Sequence, residues 1–173
     1  SVLAGLTPTK REEAMYSHAQ IHIINRENLQ WLVEILGRNW HYDSVILDES
    51  SSFKNHSSRR WKALRQVVKT GKIKRMVQLT GTPSPNTLME LWPQIYLLDQ
   101  GQRLGDTRAK FLNSFCRQVG NPQWMQFEIR PDMEETLHKR VADLVLRMSS
   151  EDYLELPDRL DSDVVVELTD KAK

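Results

Sequence analysis

A chain of 173 residues with 39% apolar content can form one domain that buries roughly 70% of the surface its unfolded form exposes. Lys and Arg number 24 against 23 Asp and Glu, so a net charge of +1 gives no global basic field, and any nucleic-acid contact must come from local patches. A single cysteine, Cys116, excludes an internal disulfide and fits a reducing compartment, and neither a membrane-length apolar run nor a signal peptide occurs.

Val2 to Leu6 is a short apolar run. Thr7-Pro8 after it reads as a helix cap with proline at the first helical position, which predicts a polar surface helix from Pro8 to about Ser17. Ile21, Ile23 and Ile24 form a second strand, ending in the polar corner Asn25-Arg26-Glu27-Asn28. Leu29, Leu32, Val33 and Leu36 then recur at helical spacing, and Gly37 suits the end of that helix. Val45-Ile46-Leu47 reads as a strand buried on both faces, as in a parallel sheet, and runs straight into Asp48-Glu49-Ser50.

Ser57 or Ser58 caps a helix with Trp61, Leu64 and Val68 inward, closed by Gly71. Met76 to Leu79 is the fourth strand. Thr80-Gly81-Thr82-Pro83-Ser84-Pro85-Asn86 follows it, and Leu88, Leu91, Trp92 and Ile95 supply the apolar face of the next helix. Four alternations of strand and helix predict an α/β fold, a parallel sheet with right-handed crossovers.

The rhythm breaks near Asp99. Asp106 or Thr107 starts a helix with Phe111, Leu112 and Phe115 inward, and a loop with Pro122 and Trp124 comes next. Asp132 and Glu135 read as a capping box for a helix burying Met133, Leu137, Val141 and Leu144. Leu156-Pro157 ends that region, and Val164 to Val166 is a late strand. The pattern divides into an α/β part, residues 1–98, and a helical appendage with a return strand, residues 99–173.

Strands of a parallel sheet deliver their C-terminal loops to one edge, so Asp48-Glu49 and Thr80-Gly81-Thr82 can face a single site. Adjacent carboxylates repel, which invites a cation or a proton-transfer task. One acid holding Mg²⁺ through water beside another that orients an attacking water is the logic of nucleotide hydrolysis, and a hydroxyl-rich turn can sense a γ-phosphate. Gly81 permits close backbone approach, and Pro83 stiffens the exit. Other features read as structural. Lys10, Arg11, Arg59, Arg60 and Lys62 suit a solvated helix face, the five histidines lack metal-ligand spacing, the tryptophans sit at core spacing, and Cys116 falls on an apolar helix face.

These motifs resemble those of the Swi/Snf-type DNA translocases of helicase superfamily two. Asp48-Glu49-Ser50-Ser51 with Phe53-Lys54-Asn55 is similar to their motif II, and Leu79-Thr80-Gly81-Thr82-Pro83 with Asn86 to their motif III. Gly5 to Arg11, Ile23-Ile24-Asn25 with Leu29, Leu91-Trp92 with Leu97-Leu98, Arg140 and Leu156-Pro157 agree with flanking family stretches. The resemblance implies a partial RecA-like lobe of an ATP-driven motor that tracks along double-stranded DNA. On that basis Asp48 holds Mg²⁺, Glu49 activates water, and Thr80, Gly81 and Thr82 couple the phosphate site to DNA. Asn25 and Arg26 then approach the DNA backbone, as do Lys54 and Asn55. Where the family's acidic box often ends in His, Ser51 stands here, and a hydroxyl can bond toward motif III but carries no charge.

No G-x-x-x-x-G-K-[ST] phosphate loop occurs in the sequence, nor do the features of a second lobe. The chain therefore reads as the later part of a first lobe, inactive toward ATP by itself. Its fourth strand should present an apolar open edge that self-associates or is covered. The stretch between motif III and Leu156-Pro157 carries no large insertion, which suits a bacterial or phage member in the cytoplasm or on the nucleoid. Two other classes fit the same residues. One is a non-catalytic DNA- or protein-binding module derived from such a lobe. The other is an unrelated Mg²⁺-dependent phosphohydrolase using Asp48 and Glu49.

Overall fold

The first helix begins where a hydroxyl takes up an orphan amide. In the computed structural model, which describes residues 1–82, 87–120 and 126–148, Thr7 Oγ1 accepts from the Lys10 N–H, and α1 runs Pro8–Met15 with proline at its first position. Val2 and Ile23 meet in an isolated parallel bridge. Arg11 holds this region together: its guanidinium donates to the Leu3 and Leu6 carbonyls and to Asn28 Oδ1, and it lies over the Trp31 ring. That residue is a structural tie, half-buried, and not the solvated charge its sequence context suggests.

The apolar stripe of α2 (Leu29–Leu36) buries Leu29, Leu32, Val33 and Leu36, and Gly37 ends it at φ 44°. Strand β1 (Ser44–Leu47) leads to α3 (Arg59–Lys69), capped by Ser58 and burying Trp61, Ala63, Leu64, Val67 and Val68. Strand β2 (Arg75–Gln78) pairs with β1 in parallel, with Val45 opposite Met76 and Ile46 opposite Val77. The sheet departs from the sequence expectation here. Leu47 is buried and Val45 half-buried, but Ile46 is 70% exposed, so β1 is covered on one face only. Among the described residues β1 and β2 pair only with each other, and no helix lies over the side carrying Ile46, Val77 and Leu79.

Helix α4 (Leu91–Asp99) is central. Every residue from Leu91 to Leu97 is buried, which is what an all-round apolar helix requires. Pro93 falls in its first turn, where a missing N–H costs nothing, and its carbonyl accepts the Trp61 indole N–H at 2.8 Å. Around it Trp61, Trp92 and Tyr96 pack with ring centroids 5.5–6.0 Å apart. Buried Asp99 organises the next turn by accepting from Gly101 N and Arg103 N. A Cβ on Gly101 would come within 2.4 Å of the Gly105 carbonyl, so glycine is obligatory there.

Helix α5 (Arg108–Phe115), capped by Thr107, runs directly into an antiparallel hairpin, β3 (Cys116–Val119) and β4 (Gln126–Ile129), where the sequence suggests only a loop. Cys116 consequently opens a strand and does not sit on a helix face; burial pushes its thiol up, against the opposing pull of Arg108 and Arg130. Helix α6 (Pro131–Val141) begins at Pro131 with Arg130 as its cap, so Asp132 lies in the first turn and makes no capping box. Pro131, with φ fixed for N1, sets the start one residue earlier. Leu137 and Val141 are buried as expected.

The chain divides into two compact units, Ser1–Ala142 and Asp143–Lys173, and every helix and strand named here lies in the first. The change of pattern at residues 98/99 thus falls inside one unit, across which Trp92 stacks on Phe111 at 6.1 Å. Pro83, Asn86, Pro122, Trp124, Leu156-Pro157 and the strand expected at Val164 to Val166 lie outside the described residues. No helix among the described residues is long and apolar enough to cross a membrane.

Candidate functional site

Register fixes which loops share an edge. Leu47 pairs with Gln78, so Asp48-Glu49 and Leu79-Thr80 leave neighbouring parallel strands at the same end. Two backbone bonds then lock the loops together: Leu79 N–H donates to the Leu47 carbonyl at 2.9 Å, and Ser50 N–H donates to the Leu79 carbonyl at 2.9 Å. The acidic turn and the hydroxyl-rich turn are therefore juxtaposed by backbone bonds that reach one residue past β2 and three residues past β1.

Glu49 adopts φ 51°, ψ 52°, the left-handed region that non-glycine residues enter at a cost. This kink turns the chain off the strand into the 3₁₀ turn Ser50–Phe53 and leaves both carboxylates exposed. Asp48 Oδ1 accepts the Glu49 N–H at 3.0 Å, which holds the Asp48 side chain over the turn. At the next turn Thr80 Oγ1 accepts the Thr82 N–H at 3.2 Å. No Cβ-sized contact surrounds Gly81, so the chain's own packing does not require glycine there.

Arg26 reaches the same edge: its guanidinium donates to the Glu49 carbonyl at 3.5 Å, with Asn25 exposed just before it. Lys54 and Asn55 are engaged elsewhere. Lys54 pairs with Glu90 at 3.1 Å, and Asn55 Oδ1 accepts from both the N–H and the hydroxyl of Ser57. Of the four residues expected at a nucleic-acid surface, the structure thus brings Arg26 to the carboxylate edge, leaves Asn25 exposed beside it in the chain, and holds Lys54 and Asn55 in other bonds.

Beneath the edge lies a polar network that the sequence reading missed. Ser50, fully buried, donates its hydroxyl to Gln94 Oε1 at 3.4 Å. Gln94 Nε2 donates to the Glu90 carbonyl, and Gln78 Nε2 donates to the Gln94 carbonyl at 3.0 Å. The only sequence signal was one amide inside the apolar run Leu91 to Leu98. The connection toward the Thr80 turn is accordingly made by Ser50. Among the described residues no side-chain bond runs from Ser51 to residues 79–82.

The donor set suits one hard cation. Two exposed carboxylates on successive residues match Mg²⁺, which takes one or two carboxylates and fills its shell with water and phosphate oxygens. Among the described residues no cluster of three or more His, Cys, Asp or Glu could hold a metal by itself.

A family model described as "SNF2-related domain" matches residues 5–173. The chain is 35% identical over 163 residues to "Putative protein p41" of Acyrthosiphon pisum secondary endosymbiont phage 1, covering 91% of this chain and 35% of that protein. It is 33% identical over 148 residues to "Helicase SWR1" of Cryptococcus neoformans var. neoformans serotype D (strain B-3501A), covering 79% of this chain and 11% of that one. Among solved structures, the Sulfolobus solfataricus SWI2/SNF2 ATPase core in complex with dsDNA superposes with a TM-score of 0.63 at 19% identity, over 87% of this chain and 28% of that chain. The fold is accordingly α/β, part of a RecA-like lobe of the kind in that ATPase core. The chain spans about a third of the phage relative and a far smaller part of the helicase.

Proposed function

The chain belongs to the SNF2-related domain family, and from that membership we propose that it forms the magnesium-and-water side of an ATP-hydrolysing motor acting on double-stranded DNA. The observation that carries this reading is the Ser50 N–H to Leu79 carbonyl bond, which seats Asp48-Glu49 against Thr80-Gly81-Thr82 on one sheet edge. Bound Mg²⁺ would supply charge neutralisation for the triphosphate of ATP. Asp48 would hold that ion, and Glu49 would orient and deprotonate the attacking water. Thr80 and Thr82 read the phosphate end, with Gly81 admitting the ligand where no neighbour of its own crowds it. Asn25 and Arg26 contact the DNA backbone, so Arg26's bond to the Glu49 carbonyl links DNA to the turn that carries the base. Lys54 and Asn55 join this surface only if Lys54 leaves Glu90.

The 173 residues contain no phosphate loop, so by themselves they do not release phosphate from ATP. In a longer polypeptide that carries this segment and a phosphate loop, Glu49→Gln lowers DNA-stimulated turnover by about 10²–10⁴-fold while ATP binding persists. Retained turnover would overturn the assignment to Glu49. Duplex binding with no hydrolysis by the unaltered longer polypeptide would favour the non-catalytic module instead. Metal-dependent phosphate release by the 173-residue chain alone would favour the unrelated phosphohydrolase.

A further inference from the structure

From Ser50 to Met89 the chain carries nine Lys and Arg and no Asp or Glu, while the other 133 residues carry 15 cations and all 23 carboxylates. A net charge of +1 therefore combines a basic segment with an acidic remainder. Helix α3 lies in the middle of that segment. It buries Trp61, Ala63, Leu64, Val67 and Val68, and its exposed residues are Arg59, Lys62, Gln66 and Lys69, which at 3.6 residues per turn fall on one stripe. Lys54, Arg103, Lys110, Arg117 and Lys139 each meet a carboxylate. Among the described residues no hydrogen bond or ion pair engages the side chains of Arg59, Lys62 or Lys69. Folding does not account for the placement. The first turn of α3 has no acid, and Arg59 and Lys62 stand at its N-terminal end, where the helix dipole disfavours cations. The field of Lys62 reaches His56: burial first, then Arg108 and Lys62, hold that imidazole below its ordinary range.

We propose that the exposed stripe of α3 holds the phosphate backbone of a nucleic-acid duplex, independently of its sequence, as a contact separate from the one assigned to Asn25 and Arg26. Arg59 to Lys69 spans about 15 Å of helix, close to four phosphate spacings along a duplex axis. The stripe carries charge and little else. No apolar side chain of α3 is exposed, so a protein partner would find no anchor to bury against. No ring is open for stacking, since Trp61 is 3% exposed, so unpaired bases gain nothing here that a duplex lacks. Phosphates need neither feature. They need cations in a row on a rigid element, and the Gln66 amide adds a neutral donor between them. This contact goes beyond ATP hydrolysis and requires neither Asp48 nor Glu49.

The test titrates the 173-residue chain into two fluorescein-labelled DNA duplexes of unrelated sequence, read by fluorescence anisotropy from about 50 mM salt upward. Both duplexes should saturate below about 100 µM chain with equal affinity. Log affinity should fall against log salt with a slope of about −3, as three phosphate contacts give. Lys62→Gln with Lys69→Gln should weaken binding about tenfold and make the slope shallower by about 2, and Arg59→Gln alone by about 1. All three positions are exposed, and circular dichroism confirms that the variants fold. Asn25→Ala with Arg26→Ala should leave the effect of the α3 substitutions unchanged. No saturation, or an affinity and slope unmoved by Lys62→Gln with Lys69→Gln, would overturn the proposal. Binding lost through Arg26 and not through α3 would discard the stripe while leaving the motor reading intact. A single strand bound more tightly than the duplex, or a polyglutamate peptide bound with the same dependence on Lys62 and Lys69, would also overturn it.

Discussion

Glu49 is held in a conformation that its own side chain opposes. A left-handed glutamate costs on the order of 1–2 kcal/mol of backbone energy, and the bonds around it keep it there: Asp48 accepts its N–H, Ser52 N–H and Arg26 donate to its carbonyl, and Ser50 N–H donates to Leu79. Replacing it with glycine removes the steric cost but adds chain entropy to the unfolded state, so Glu49→Gly should stabilise the chain by about 0.5–1 kcal/mol. Urea unfolding monitored by tryptophan fluorescence measures this, and a destabilised variant would show that the carboxylate itself holds the turn. His56 makes the opposite kind of demand. Its folded value lies below the unfolded 6.5, so the unfolded chain takes up the proton first on acidification. Its neutral form is fully accommodated above pH 6.5, and stability is lost as pH falls from there toward the folded value. His56→Gln should therefore flatten the fall in unfolding midpoint between pH 7 and pH 5. Equal slopes for the two proteins would remove His56 from the acid sensitivity.

The helices were legible where their signals are local. The hydroxyls of Thr7, Ser58 and Thr107 reach amides three residues on, and the stripe of α2 needs only its own period. The hairpin was not legible, because the pairing of Cys116 with Ile129 is settled by partners rather than by Cys116-Arg117-Gln118-Val119 itself. Asp132 misled for a related reason: a good capping residue loses to a proline that fixes the first turn. Asp48-Glu49 and Thr80 to Thr82 were readable as a pair, since parallel strands put such loops on one edge whatever the details. Ser50 and Gln94 were not, because a buried hydroxyl finds its acceptor 44 residues away only once α4 is packed under the sheet. That network predicts its own cost. Gln94→Leu keeps the volume but removes the acceptor of the buried Ser50 hydroxyl and the donor to Glu90, and should destabilise by about 1–3 kcal/mol. Ser50→Ala added to Gln94→Leu should recover part of the loss, because no hydroxyl is then left buried. A double-mutant cycle with additive losses would mean that Ser50 and Gln94 act independently.

At the scale of the whole molecule, the β1–β2 sheet is more covered on one side than on the other among the described residues. Leu47 is buried and Val45 and Met76 are half-buried, while Ile46, Val77 and Leu79 stand 70%, 48% and 50% exposed on the opposite face. Ile46 and Val77 are register partners, so the three side chains form one contiguous apolar strip and not scattered surface residues. Asp48 alternates onto that same face, which puts the strip directly behind the catalytic edge proposed above. A strip of this kind, on a sheet with no further strand beside it among the described residues, is a template for a second copy. The 173-residue chain should accordingly associate in a concentration-dependent way across the micromolar range in light scattering coupled to size exclusion. Burial of Ile46 and Val77 drives it, so added salt should not dissolve the assembly, unlike one held by surface ion pairs. Ile46→Lys with Val77→Lys places two like charges side by side on the strip and should return the chain to a monomer with its helical content unchanged. A wild-type chain that stays monomeric at about 100 µM would show that the strip is tolerated bare, and self-association would then be discarded.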